Sequence, residues 1–365
     1  MKNFYKLSSF LLVLIGLSFG SCENKDEQPY IPGSTGFYVS NSGNLSEGNG
    51  SITGVVQNGE ESTVSQRVFK SANGADLGGI TEGFYTDGAI GILSVQAADK
   101  IEILDIKTMI RRFDPISEGI VTPRYSTKEG NFAYTTVWGP YESDWTLKNS
   151  KVVVINTSTG LQVNEFKVGG GAEGITIYDS KIYVAISNST NVEVYNISSF
   201  ELEATIDVKA APQHFVIDGE NNLWVSTSAG YLFPAPADTE IGIAKLNTTD
   251  NTVASKVQYS GIGKDGDIQL SSDGKSIYVL GSDDAYQGPS TTEVVSFGIN
   301  DSSIGSAVIS GEYFKGIGVN PSNGNIHVAV AQSFSESGSF RIYSNDGDMI
   351  TEQPTGVGPF HFVFY

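Results

Sequence analysis

The chain has 365 residues, 39% hydrophobic and 17% charged, with a formal net charge of −19. So acidic a surface repels phosphate backbones, which excludes nucleic acid as a partner, and the single cysteine, Cys22, cannot build a disulfide framework. The 42 glycines are spread along the chain and mark many turns, an all-β composition with enough apolar content for one large core.

At the N-terminus Lys2 and Lys6 precede an apolar run from Phe10 to Phe19 and the small-residue exit Gly20-Ser21-Cys22. The run is too short to span a bilayer and reads as a secretory signal over 1–21. A lone cysteine at the expected cleavage point resembles the lipobox cysteine of bacterial lipoproteins, whose thiol is diacylated. Glu23-Asn24-Lys25-Asp26-Glu27 looks like the acidic signal that sends some of them to the outer face of the outer membrane. Residues 22–34 are therefore expected to be an acylated tether. No later segment approaches the ~20 apolar residues that spanning needs, so a lipid anchor at Cys22 is the expected membrane attachment.

From residue 35 onward one pattern recurs. Gly36-Phe37-Tyr38-Val39, Ala133-Tyr134-Thr135, Lys181-Ile182-Tyr183-Val184, Asn222-Leu223-Trp224-Val225, Ser276-Ile277-Tyr278-Val279 and Asn325-Ile326-His327-Val328 are period-2 strands with a ring in register. Most follow a tight turn such as Asp218-Gly219-Glu220-Asn221 or Asp273-Gly274-Lys275, and another strand precedes that turn. Two further strands follow, as in Lys151–Ile155 with Val163–Val168. Four strands at a period of roughly 40–55 residues predict propeller blades, and the count is seven. The first repeat lacks its leading strand, while Phe360–Tyr365 is a strand with no blade to follow. The expected fold over 35–365 is thus a seven-bladed β-propeller of four-stranded blades, closed by the C-terminal strand completing blade one. A β-sandwich would need far fewer strands.

The connections between second and third strands are long in five repeats: Asn41–Gly50, Gly139–Ser150, Ala229–Glu240, Ser282–Thr292 and Gln332–Ser337. They should leave one face of the disc, and long loops are where function concentrates. Large rings sit in or beside them: Trp138, Tyr141, Trp145, Tyr231, Phe233, Tyr286 and Phe334. Rings from four blades on one face predict an apolar rim around a ligand mouth. The residues leading the inner strands, Arg124, His214, Asp267 and His361 with Gly83, Gly174 and Gly316, should reach the axial opening, joined by Glu82, Glu173, Gln213, Lys315 and Tyr125. A few polar groups among rings is the make-up of a small-molecule site. His327 occupies the ring slot of its repeat and is expected in the core. No close-spaced ligand motif argues for a metal, and no G-x-S-x-G, HExxH or P-loop for catalysis, so no cofactor is expected.

The stretches GFYVSNSGNLSEGNGSITGV at 36–55 and TPRYSTKEGNFAYTTVWG at 122–139, with the seven-blade count, resemble the YncE-like surface lipoproteins of the BtuG type. The resemblance implies a non-enzymatic scavenger that holds a corrinoid for a TonB-dependent outer-membrane transporter. Aromatic loops would cover the corrinoid plate, while Asn41, Asn44, Arg124 and Asp267 would answer its amides. Alternatives are a ferric siderophore, haem or a glycan as ligand. A metal-dependent lactonase or lyase is a further alternative, suggested by the Asp218–Val225 stretch.

Overall fold

The computed structural model describes residues 35–58, 61–229, 232, 238–263, 266–282 and 291–365. The signal, the tether with Cys22, and the ring positions Tyr231, Phe233 and Tyr286 lie outside them. The described residues form seven antiparallel sheets in a ring, a seven-bladed β-propeller. Blade one is Pro359–Phe364, Gly36–Asn41, Ser51–Asn58 and Glu61–Ser65, from the axis outward; blade two is Ile80–Thr86, Ile90–Gln96 and Lys100–Asp105. Blade three is Pro123–Glu129, Phe132–Val137, Lys151–Asn156 and Leu161–Lys167; blade four is Ala172–Tyr178, Lys181–Ile186, Asn191–Asn196 and Leu202–Asp207. Blade five is Ala211–Ile217, Leu223–Ser228, Gly242–Asn247 and Thr252–Gln258; blade six is Ile268–Leu270, Ser276–Ser282, Thr291–Gly298 and Ala307–Glu312. Blade seven is Phe314–Val319, Ile326–Val330, Ser337–Tyr343 and Met349–Val357.

The ring closes as the terminal pattern predicts: Phe37 pairs with Phe364, Tyr38 with Val363 and Val39 with Phe362. Two edges that an open sheet would expose are thereby joined. Blade two departs from the repeat. Its fourth place is taken by an irregular segment bridged at Leu104↔Arg111 and Ile101↔Ile116. Pro115 has no N–H to give to a ladder, so the chain bows outward between the bridges. A six-residue helix, Val68–Asn73, sits in the connection between blades one and two, where the strand periodicity gave no sign of it.

Seven apolar clusters fill the structure, one at each interface between neighbouring blades. The recurring ring of the second strand in six of the blades is the reason: Tyr38, Tyr134, Tyr183, Trp224, Tyr278 and His327 are all buried. On a strand, alternate side chains face opposite sides, so one face packs on the preceding blade and the other on the next. The Asp218–Val225 stretch is turn architecture. Asp218 accepts hydrogen bonds from the backbone N–H of Glu220 and Asn222 and from Trp224 Nε1 at 2.8 Å. Burial alone would raise its pKa, but these donors, Trp224 first, hold it below the usual carboxylate value.

Candidate functional site

The described bases of the five long loops lie on the same face. Each is tied at its base to a connection that leads into an inner strand. Ser42 N–H donates to Gly358 O (2.7 Å), Gly139 N–H to Val121 O (3.0 Å) and Glu240 N–H to Lys209 O (2.9 Å). Ser282 N–H donates to Gly261 O (2.8 Å) and Ala331 N–H to Tyr313 O (3.0 Å). The opposite face carries the short turns, which touch one another, as in Gly219 N–H to Gly274 O at 2.9 Å.

Where the inner strands begin on the loop face, the ladder to the second strand slips in six blades: between Thr81 and Phe84, Pro123 and Ser126, Ala172 and Ile175, Pro212 and Phe215, Phe314 and Gly316, and, in blade one, Pro359 and His361. Bulges of this kind re-aim side chains and recur beside binding sites. Here they repeat at one level around the axis, and their sequences alternate. Blades one, three and five carry Pro-Phe-His (359–361), Pro-Arg-Tyr (123–125) and Pro-Gln-His (212–214). Blades two, four and seven carry Glu-Gly (82–83), Glu-Gly (173–174) and Lys-Gly (315–316). A Cβ on Gly83, Gly174 or Gly316 would collide with the carbonyl of Arg124, Gln213 or Phe360 respectively, the crown residue of the next blade. The glycines thus let the neighbouring strand close in and leave the axis to the rings: Tyr125 lies edge-on to His214 at 4.6 Å and to His361 at 5.7 Å. The sequence reading named these residues one by one and missed the alternating motif, which is visible only once the strands are aligned by blade.

Above the rings the crown is ionic. Arg124 bridges Glu82 (2.9 Å) and Glu173 (2.5 Å), and its Nη1 donates to Gln96 Oε1 at 3.2 Å. Gln96 ends a second strand, and no sequence signal pointed to it. Trp138 lies under the Arg124 guanidinium at 4.1 Å and donates from Nε1 to Glu173 at 3.1 Å. Arg124 and Trp138 are both buried. Asp267 accepts from Ile317 N–H (2.7 Å) and from Gln269 Nε2 (3.2 Å). Asn41 is fully buried, with its amide engaged by Ser51, Thr53 and Thr355. These side chains hold the mouth together. Asn44, in contrast, is on the surface of its loop, and its amide reaches Ser335 of the neighbouring blade-seven loop at 3.4 Å.

The rings above the crown face solvent. Trp145 is 80% exposed, Tyr141 and Phe334 each 50%. Tyr141 is edge-on to Trp138 (6.2 Å) and tilted by 58° against Trp145 at 6.1 Å, so the three form a ladder from the buried crown to the loop tip. The tip is stiff. Trp145 has φ 62°, its N–H donates to Glu142 O (3.0 Å), and Asp144 anchors Thr146 and Lys148. A left-handed backbone at so bulky a residue is strained, and such strain gathers at binding sites.

His361 keeps part of its ring accessible, but its Nε2 is shut off from solvent and has no hydrogen-bond partner. Burial pushes its pKa down to about 3, with the charges of His214 and Arg124 adding to the effect. Its ring is therefore neutral at neutral pH. His327 is buried among Phe37, Phe362 and Phe364 and belongs to the core. Among the described residues, no three His, Cys, Asp or Glu side chains converge to hold a metal ion. Two grooves lie away from the mouth. One of 1160 Å³ runs between the bowed segment of blade two and the outer strand of blade three; one of 640 Å³, lined by Phe132, Val163, Ile197 and Phe200, opens on the turn face between blades three and four.

No family model and no curated protein matches the chain. Among solved structures it is similar to a quinonprotein alcohol dehydrogenase-like protein from Bacteroides thetaiotaomicron VPI-5482, at 15% identity and TM-score 0.63 over 90% of this chain and 78% of that one. It is also similar to a functionally unknown protein from Desulfotomaculum acetoxidans DSM 771, at 13% identity and TM-score 0.64 over 91% of this chain and 99% of that one. A 6-phosphogluconolactonase-like protein from Bacteroides fragilis NCTC 9343 matches at 13% identity and TM-score 0.62, over 91% of this chain and 98% of that one. At such identities the likeness shows the fold alone.

Proposed function

We propose that the loop face captures a broad, partly apolar small molecule at the axial mouth, with a corrinoid as the first candidate, and performs no chemistry on it. The observation that carries this reading is the pairing of solvent-facing rings, Tyr141, Trp145 and Phe334, with a polar crown on the same face. Exposed apolar area is removed from water when a plate settles on the rings, at roughly 25 cal/mol per Å² before the ordering cost. Crown and loop amides supply orienting hydrogen bonds. In this reading Glu82 and Glu173, both held by Arg124, serve to shape the mouth. The lipobox-like Cys22 and the acidic residues after it favour a lipid-anchored protein on the outer membrane, and a TonB-dependent transporter is the partner that would receive the captured molecule.

The test is calorimetric titration of the protein with cyanocobalamin. Binding is expected, with Trp145→Ala and Phe334→Ala each weakening it about tenfold, the usual scale for an aromatic contact at the centre of a site. Absence of heat and of any spectral change with cyanocobalamin would end the corrinoid assignment. Undiminished affinity in both variants would move the site off the loop face.

A further inference from the structure

The groove on the turn face between blades three and four is walled by Phe132, Tyr134, Val154, Val163, Ile197 and Phe200. Its volume of 640 Å³ falls within the range of small-molecule clefts, about 300–1,000 Å³. Two local irregularities build it. The outer strand of blade three bulges between Gln162 and Asn164, so Val163 leaves the ladder and lines the groove at 52% exposure. On the blade-four side Phe200 takes a left-handed backbone, φ 60°, and stacks on Phe166 at 5.1 Å with the planes 6° apart. That wall is set before any ligand arrives.

Other blade junctions close the equivalent space. Between blades five and six the turns meet through Gly219 and Gly274, and Asp218 takes up the Trp224 indole N–H. Between blades one and two the Tyr38 hydroxyl donates to Lys107 O at 3.3 Å. In blade three the corresponding ring is Tyr134, which is 4% exposed and lines the groove. Among the described residues its hydroxyl has no hydrogen-bond partner, and it is not shut off from solvent, so a bound molecule can reach it. Burial raises the Tyr134 pKa and the Glu129 carboxylate adds to the effect, so the phenol stays protonated and donates. Asn156 and Asn164, also in the lining, spend their side-chain oxygens on the Ser158 N–H (2.9 Å) and the Glu165 N–H (2.8 Å) and keep their NH2 groups as donors. Three donors set in an apolar groove suit a ligand that carries acceptors. Glu129 is the one charged residue in the lining, and a carboxylate there disfavours an anion.

We infer a second ligand site on the face opposite the mouth, in which an uncharged, ring-containing small molecule lies between Phe132, Val163 and Phe200 and presents a carbonyl or hydroxyl oxygen to the Tyr134 hydroxyl. The site is independent of the capture reading, because no loop-face residue contributes to its lining.

The full chain is titrated with prodan, an uncharged naphthyl ketone whose emission shifts to the blue and brightens when it leaves water. Saturable binding is expected. Val163→Glu and Phe132→Ala, both at exposed positions, should each weaken it about tenfold. Tyr134→Phe keeps the ring and loses the donor, and should weaken it about fivefold, the scale of one hydrogen bond. All three variants are expected to retain the wild-type circular dichroism. Trp145→Ala, on the opposite face, should bind the dye as wild type does. 2-Acetylnaphthalene should displace the dye, and 2-naphthoate, an anion on the same rings, should need at least tenfold higher concentration to do so. No saturable signal, or wild-type affinity in both Val163→Glu and Phe132→Ala, overturns the site. Loss of binding in Trp145→Ala also overturns it, by moving the dye to the mouth. Wild-type affinity in Tyr134→Phe, or equal displacement by 2-naphthoate, overturns the assigned ligand class.

Discussion

His327 and His361 are both withdrawn from water, and burial holds the pKa of each down to about 3. In the unfolded chain a histidine takes up its proton near pH 6.5, so between about 6.5 and 3 the unfolded state binds protons that the native state refuses. Stability is therefore present in full above pH 6.5 and declines as pH falls through that window, by about 1.4 kcal/mol per pH unit for each fully titrating histidine. Urea unfolding at pH 7, 6 and 5 is expected to show this loss. His327→Phe, which keeps a ring in the cluster with Phe37, Phe362 and Phe364, should remove about half of the slope. That His327 sits in the core was readable from its slot in the repeat. The fate of Arg124 was not, since a lone arginine at a strand start looks the same whether it faces a ligand or two glutamates from neighbouring blades.

At the scale of the element, the inner strands show how much a single missing Cβ can decide. Gly316 lies against the backbone of blade one, where no flexible side chain can give way. Gly316→Ala must push the two blades apart, and overpacking of this kind costs about 1–3 kcal/mol. Gly130→Ala, at a turn with φ 55° and open space around it, should cost about 1 kcal/mol for its backbone conformation alone. Chemical denaturation of the two variants checks the order. Strand identity was legible because one ring per repeat stood in register, from Tyr38 to His327. The inner-strand bulges were not legible, although Pro123, Pro212 and Pro359 precede their crown residues and hint at an irregular ladder. The broken fourth strand of blade two was likewise hidden, because Arg111 to Ile116 reads as one more apolar–polar segment apart from Pro115.

For the whole molecule, closure rests on one strand drawn from the far end of the chain. Removing residues 359–365 strips Gly36–Asn41 of its axial partner and takes Phe360 and His361 from the crown. The truncated chain is expected to lose cooperative unfolding and to bind a hydrophobic dye, since two strand edges and the Phe37 cluster become exposed. Retention of a single sharp transition would show that the ring holds without its closing strand. The loop bases were correctly read as sharing a face, because the parity of turns in a four-stranded blade leaves no choice. The sequence by itself determined the blade count, the closure and the sidedness of the loops, since these follow from strand periodicity and chain order. Only the tertiary structure decided which polar residues are spent on one another and which stand open. That depends on distances between strands some fifty residues apart, such as Arg124 to Glu173, and local sequence does not encode such distances.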